Sequence, residues 1–269
     1  MNSISTSNNT PIYYPDGEEQ AAEELRQASE ECAALIQSTW GLQKPEDLHI
    51  YLMTSLNQFV FNAAPPLRRV IAGITWPFWF TQWHRVWPHA GGWVQEFGKR
   101  VAVGIKPARM IAESDSALGA LVFISEPDKA LKYRQVVCHE LTHAYSSHLN
   151  LPDWLYEGLS MLTADRLSGK QTVKNSSLVL LGGTAGEEDN ETAQVTAKAK
   201  IPKAMIYIYV RGYWLTRYVA EQREALLKSL LTQRTTPEKV NAKIAAAEGW
   251  TVDEFWREIN KRLVGYFEG

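Results

Sequence analysis

Only two cysteines, Cys32 and Cys138, occur among the 269 residues. That is too few for the disulfide framework that holds many small secreted chains together. Cys138 could pair with a distant helix, but nothing in the pattern requires it, and both cysteines are expected to be reduced and buried. No stretch approaches the roughly 18 unbroken apolar residues of a membrane-spanning helix. The opening M-N-S-I-S-T-S-N-N-T-P has neither the basic start nor the apolar run of about 7–15 residues that marks a signal peptide. A cytoplasmic protein is therefore expected, with unconventional secretion as the alternative. Neither sign of charge is in excess: the formal net charge is −2 and the isoelectric point is near 6.3. Bulk electrostatics thus make no case for nucleic acid or for an anionic membrane surface. No internal repeat of a solenoid kind is present. What remains is 45% hydrophobic, enough for one good core or for a compact domain with a small appendage.

Against this unremarkable background stands the run His139-Glu140-Leu141-Thr142-His143, followed fourteen residues later by Glu157 in L-P-D-W-L-Y-E-G-L. Residues four apart on a helix differ by about 40° of rotation, so the two imidazoles project side by side from one face. That arrangement suits one Zn²⁺ held at about 2.0–2.1 Å per nitrogen. Glu140 lies about 100° further round, where it would flank a metal rather than bind it, the position of a base that takes a proton from water. Catalytic zinc typically has three protein ligands and one open position, and Glu157 is the obvious third.

The surroundings support a helix. Ala130, Tyr133, Val137, Leu141, Ala144 and Tyr145 fall on one apolar stripe, with Ser125 as N-cap and Pro127 and Asp128 in the first turn. A second helix begins near Pro152–Asp153, and two helices joined by so short a connection pack antiparallel, which would let Glu157 face the histidines. His148 is expected on the surface near the helix end.

The stretch from about Leu121 to Val219 resembles the gluzincin metallopeptidases, in particular the minimal ones with H-E-x-x-H followed by W-x-x-E-G-x-(A/S). Here these read His139–His143 and Trp154-Leu-Tyr-Glu157-Gly-Leu-Ser160. The resemblance implies zinc on His139, His143 and Glu157, with Glu140 as general base. Metzincins would need glycine at Ser146 and histidine at Leu149, and the inverted zinc motif is not matched. A later pattern of the same family, Y-x-x-(S/G)-x-x-(F/L/W)-x-x-Y-(L/V), fits Tyr209 through Gly212, Trp214, Tyr218 and Val219. By that match the Tyr209 phenol would donate to an oxyanion, with Tyr213 the next choice and ordinary helix packing the plainer reading. Two departures stand out. The upstream G-x-M-E-N run of the aminopeptidases is absent, so amino-end specificity has no support. The acid that thermolysin-like enzymes place four residues after the third ligand is Met161 here, leaving Asp165 or a backbone carbonyl to orient a histidine.

The expected architecture is α+β and zincin-like. A polar segment 1–16, disordered or draped, precedes an N-terminal subdomain at 17–167 with a small twisted sheet packed on the motif helix. Its first helix carries a stripe of Ala21, Leu25, Ala28, Cys32, Leu35 and Ile36. Strands are expected at L-H-I-Y-L-M, at 100–106 and at 120–125, and an edge strand could hold an extended peptide by backbone pairing. A long loop at 168–203 leads into a helical subdomain at 204–269, with helices over 204–220, 221–232, 237–248 and 252–266; the last opens on a Thr251–Glu254 capping box. Five tryptophans between Trp76 and Trp93 are expected to cap the core. A substrate-facing aromatic surface and an interfacial membrane anchor are the alternatives, and His84 and His89 are expected to be packed or surface residues. The function so implied is a zinc peptidase acting on peptide or protein substrates. A zinc amidase or glycopeptide hydrolase, or a non-catalytic binding module, are its rivals.

Overall fold

The computed structural model describes the chain except residues 72, 75–86, 112–121, 183–202 and 269. It is an α+β protein with a small mixed sheet and predominantly helical content. The strands are β1 (Asn2–Ser5), β2 (Pro11–Tyr14), β3 (Asp47–Leu52), β4 (Gly92–Phe97) and β5 (Arg100–Ile105). The principal helices are α1 (Glu19–Trp40), α2 (Leu56–Ala63), α3 (Lys129–Ser146), α4 (Asp153–Ser168), α5 (Lys203–Gln222), α6 (Glu224–Leu230), α7 (Pro237–Ala247) and α8 (Val252–Glu268). Two compact units result: Met1–Thr39 with Gln43–Asp115 and Glu126–Tyr145, and Trp40–Leu42 with Ser116–Ser125 and Ser146–Gly269.

In the first unit the sheet order is β1-β2-β3-β5-β4. β2, β3 and β5 run parallel, while β1 and β4 pair antiparallel at the two edges. The segment 1–16, expected to be disordered or draped, forms an extended β-hairpin that joins the sheet. Its polar residues build the turn: the Thr6 amide donates to the Thr10 carbonyl at 3.0 Å, and the Thr10 hydroxyl to Asn8 Oδ1 at 2.9 Å. Asn9 takes the left-handed conformation at φ 59° that asparagine tolerates. Ile12 and Tyr14 supply the buried side of β2. Polarity here marked a turn, not disorder.

On α1 Leu25, Ala28, Cys32 and Ile36 of the expected stripe are buried, but Ala22 is inside in place of Ala21, and Ala33 is buried while Leu35 is only half-buried. Cys32 and Cys138 are buried as expected but not reduced. They form a disulfide with a Cα–Cα distance of 5.1 Å, because the inner stripes of α1 and α3 bring both sulfurs to the same place. The tryptophans that can be described behave as packing residues. Trp87 and Trp93 cover a buried cluster of Tyr51, Met53, Phe59, Ala63 and Ala102. Trp76, Trp79, Trp83 and His84 lie outside the described residues.

The second unit is built on the crossing of α4 and α5. At Gly158 an added Cβ would lie 2.1 Å from the Gly212 carbonyl oxygen and from Thr216 Oγ1; at Gly212 it would lie 2.7 Å from the Trp154 carbonyl. Two glycines thus let the backbones meet. Ser160, Trp214 and Leu215 fill the buried volume beside them. The expected strand at 120–125 is not formed in the described part: Phe123 makes a single antiparallel bridge to Val173, a pairing too short to extend a sheet. The long loop at 168–203 is likewise interrupted, by a 3₁₀ turn at Asn175–Leu178 and a helical turn at Val179–Gly182, where Ser177 accepts from Trp214 Nε1 at 2.9 Å. The Thr251–Glu254 capping box is present in both directions, at 2.8 Å and 3.3 Å. Among the described residues no helix is long and apolar enough to cross a membrane.

Candidate metal centre

α3 starts one residue after Asp128, whose Oδ1 accepts from the amides of Ala130 and Leu131 at 2.9 and 3.1 Å. Asp128, not Ser125, is therefore the N-cap. Tyr133, Val137, Leu141, Ala144 and Tyr145 are buried, so helical periodicity turns His139 and Glu140 to the half-buried side of the helix. His143 is itself buried. The two imidazoles meet edge to face with ring centroids 4.6 Å apart, and their Nε2 atoms stand 3.0 Å from one another. Nitrogens sharing one tetrahedral zinc stand about 3.3 Å apart, so the pair is already close to the spacing of two ligands of one ion.

Glu157 lies in the second turn of α4, half-buried, beside the Gly158 crossing. The helix is held there by Trp154, whose indole nitrogen donates to Asn241 Oδ1 at 3.0 Å, and by the backbone contact with Gly212. His139, His143 and Glu157 each offer one ligand atom, and these atoms all lie within 4.8 Å of one another. Two imidazoles and a carboxylate form a donor set that fits zinc and suits neither calcium nor magnesium, which favour oxygen.

Glu140 is placed by a neighbour that sequence reasoning missed. A Cβ on Gly92 would lie 2.3 Å from Glu140 Cγ and 2.8 Å from its Cδ, and one on Gly91 2.9 Å from Val136 Cγ1. The start of β4 thus lies directly on α3, and only glycine leaves room for the carboxylate. The signal was the Gly91-Gly92 pair opening the alternation of W-V-Q-E-F, which had no strand assigned to it. Among the described residues β4 pairs only with β5 and β1 only with β2, so these two are the edge strands.

Of the two tyrosines, Tyr213 is fully buried and its hydroxyl donates to Asp165 Oδ2 at 2.6 Å, which leaves it no proton for an oxyanion. Tyr209 is half-buried and meets the Phe123 ring edge to face at 6.1 Å. Asp165 is also committed: Oδ1 accepts from the Thr172 amide and hydroxyl at 2.7 and 2.6 Å. Burial pushes its carboxyl above the usual range, and these hydrogen bonds pull it part of the way back. It ties α4 to α5 and to the segment after α4, so the role of orienting a histidine does not fall to it. His148 is exposed, as expected.

No family model, no curated protein and no solved structure matches this chain.

Proposed function

We propose that the protein is a zinc-dependent peptidase of zincin-like architecture, with His139, His143 and Glu157 as metal ligands and Glu140 as general base. The observation that carries this reading is the grouping of one ligand atom from each of those three residues within 4.8 Å, with an acid next to the first histidine that is not needed for ligation. A structural zinc needs no such acid. Zinc, when bound, supplies Lewis acidity: it polarises a carbonyl and acidifies water. Glu140 accepts a proton on its carboxylate and returns it to the leaving nitrogen. Gly92 fixes where that carboxylate stands. The resemblance offers Tyr209 as the oxyanion donor, and we keep it there; the hydroxyl of Tyr213, the next choice, donates to Asp165. β4, at the edge of the sheet beside Glu140, is suited to an extended peptide held by backbone hydrogen bonds.

The expectation of a cytoplasmic setting rested on the lack of a signal-peptide pattern, with reduced cysteines as consistent support. With Cys32 and Cys138 joined, an oxidising compartment is the better-supported setting, since such bonds persist there.

Metal analysis of the purified chain together with digestion of a peptide library tests the proposal. Close to one zinc per chain and cleavage that stops with a chelator are expected. A chain that binds no zinc, or cleaves equally well with chelator, would remove it.

A further inference from the structure

The mechanism makes no use of the short helix that follows α2. Residues 66–71, 73 and 74 are helical, and on them Leu67, Val70, Ile71 and Ile74 are 74%, 60%, 45% and 71% exposed. Their spacing is i, i+3, i+4, i+7, which gathers all four within a stripe about 100° wide. On a core-facing helix this stripe would be the buried one. Here it faces outward. Arg68 lies beside it, and Arg69, on the far side, is anchored by hydrogen bonds to the Ala64 and Asn62 carbonyls at 2.7 and 3.2 Å.

The charge around the stripe says what covers it. The chain holds 30 aspartates and glutamates in 269 residues, yet from Leu48 to Gln95 there is none, while Arg68, Arg69 and Arg85 fall inside that span. The net charge of −2 averages this away. An apolar stripe bordered by Arg68, in an acid-free stretch whose sequence continues into Trp76, Trp79 and Trp83, has the composition of a helix lying in a lipid headgroup layer. A second copy of the chain would present a surface of mixed charge and would not call for 48 residues without an acid. We infer that Leu67, Val70, Ile71 and Ile74, with Arg68, form an interfacial attachment site for an anionic lipid surface, on which the protein lies without spanning it. The inference is independent of the zinc centre.

Co-sedimentation of the full chain with unilamellar vesicles tests it. Vesicles of phosphatidylcholine with 30% phosphatidylserine should retain the protein on the order of tenfold better than phosphatidylcholine alone, and about 0.5 M salt should erase most of that preference. The Val70→Glu/Ile74→Glu double variant should bind at least about tenfold more weakly, and Arg68→Glu should lose chiefly the preference for phosphatidylserine. Because the substituted residues are exposed, circular dichroism should be unchanged; Val70→Ser/Ile74→Ser serves should the glutamates disturb folding. Wild-type protein that stays in the supernatant with both vesicles overturns the inference, as does binding that survives both double variants. Self-association without lipid that the double variants abolish would also overturn it, and would make the occupant a second copy.

Discussion

Gly92 and Glu140 are so closely apposed that a single methyl group on the strand would overlap the side chain of the proposed base, with 2.3 Å between the added carbon and Glu140 Cγ. If Glu140 is the base proposed above, this contact makes the edge strand a positioning device for it as well as a candidate docking edge.

Gly92→Ala should therefore push Glu140 from its place while leaving the three ligands untouched. Zinc content should stay at the wild-type level and kcat should fall on the order of 10²-fold, the scale of a displacement of about 1 Å at a reacting group. An alanine variant with normal turnover would mean that the position of Glu140 is immaterial.

The ligands and the base should separate cleanly by metal analysis. His139→Ala, His143→Ala and Glu157→Ala should each lose most of the zinc, since three ligands leave none to spare. Glu140→Gln should keep it and lose roughly 10²–10⁴-fold in turnover. Stoichiometric zinc in all three alanine variants would dismiss the site.

Tyr209→Phe should lower kcat by about 10²–10³ with zinc and KM nearly unchanged. Tyr213→Phe should instead act on stability, because it leaves the buried Asp165 carboxylate one donor short. If the two effects are exchanged, the roles are exchanged.

The pairing of the two histidines was legible in the sequence, because it rests on short-range geometry. Helical rotation puts His139 and His143 side by side, and their Nε2 atoms are found 3.0 Å apart. The small residues in the second half of the motif also have a physical reason: Gly158 is where α4 touches the backbone of α5. What was not legible depends on contacts distant in the chain. Nothing local to Cys32 announces Cys138, 106 residues away. The hairpin at the N-terminus needed β3 as a template before its polar turn could be told from a disordered tail. Gly92 gained its meaning only when β4 was laid against α3.

Lys106 predicts a pH dependence. It is buried, its ammonium donates to the Trp87 carbonyl and lies 4.4 Å from the Trp87 ring centroid. Burial pulls its pKa from 10.5 down to about 8. Below pH 8 the lysine is charged in both states and the penalty is complete. Between about pH 8 and 10.5 the unfolded chain keeps the proton that the folded one has released, so this group makes the protein more stable as pH rises. Urea unfolding should show a gain on the order of 1–3 kcal/mol across that window, and Lys106→Met should flatten it. An equal slope in the variant would assign the effect elsewhere.

Tyr133 carries a buried hydroxyl with no hydrogen-bond partner on the inner face of α3. Tyr133→Phe should be neutral or stabilising, by about 1 kcal/mol, since a desolvated and unsatisfied group is removed. A marked loss of stability would reveal a partner for that oxygen.

The Cys32–Cys138 bond turns much of the first unit into a covalent ring. β3, α2, β4 and β5 all lie on the stretch of chain between the two cysteines. A protease that cuts once inside that ring does not release a fragment: it converts a closed loop into two arms still joined at Cys32 and Cys138. Such a nicked molecule would run as one species until reductant is added and then part in two, the C-terminal piece keeping His139, His143 and Glu157 together.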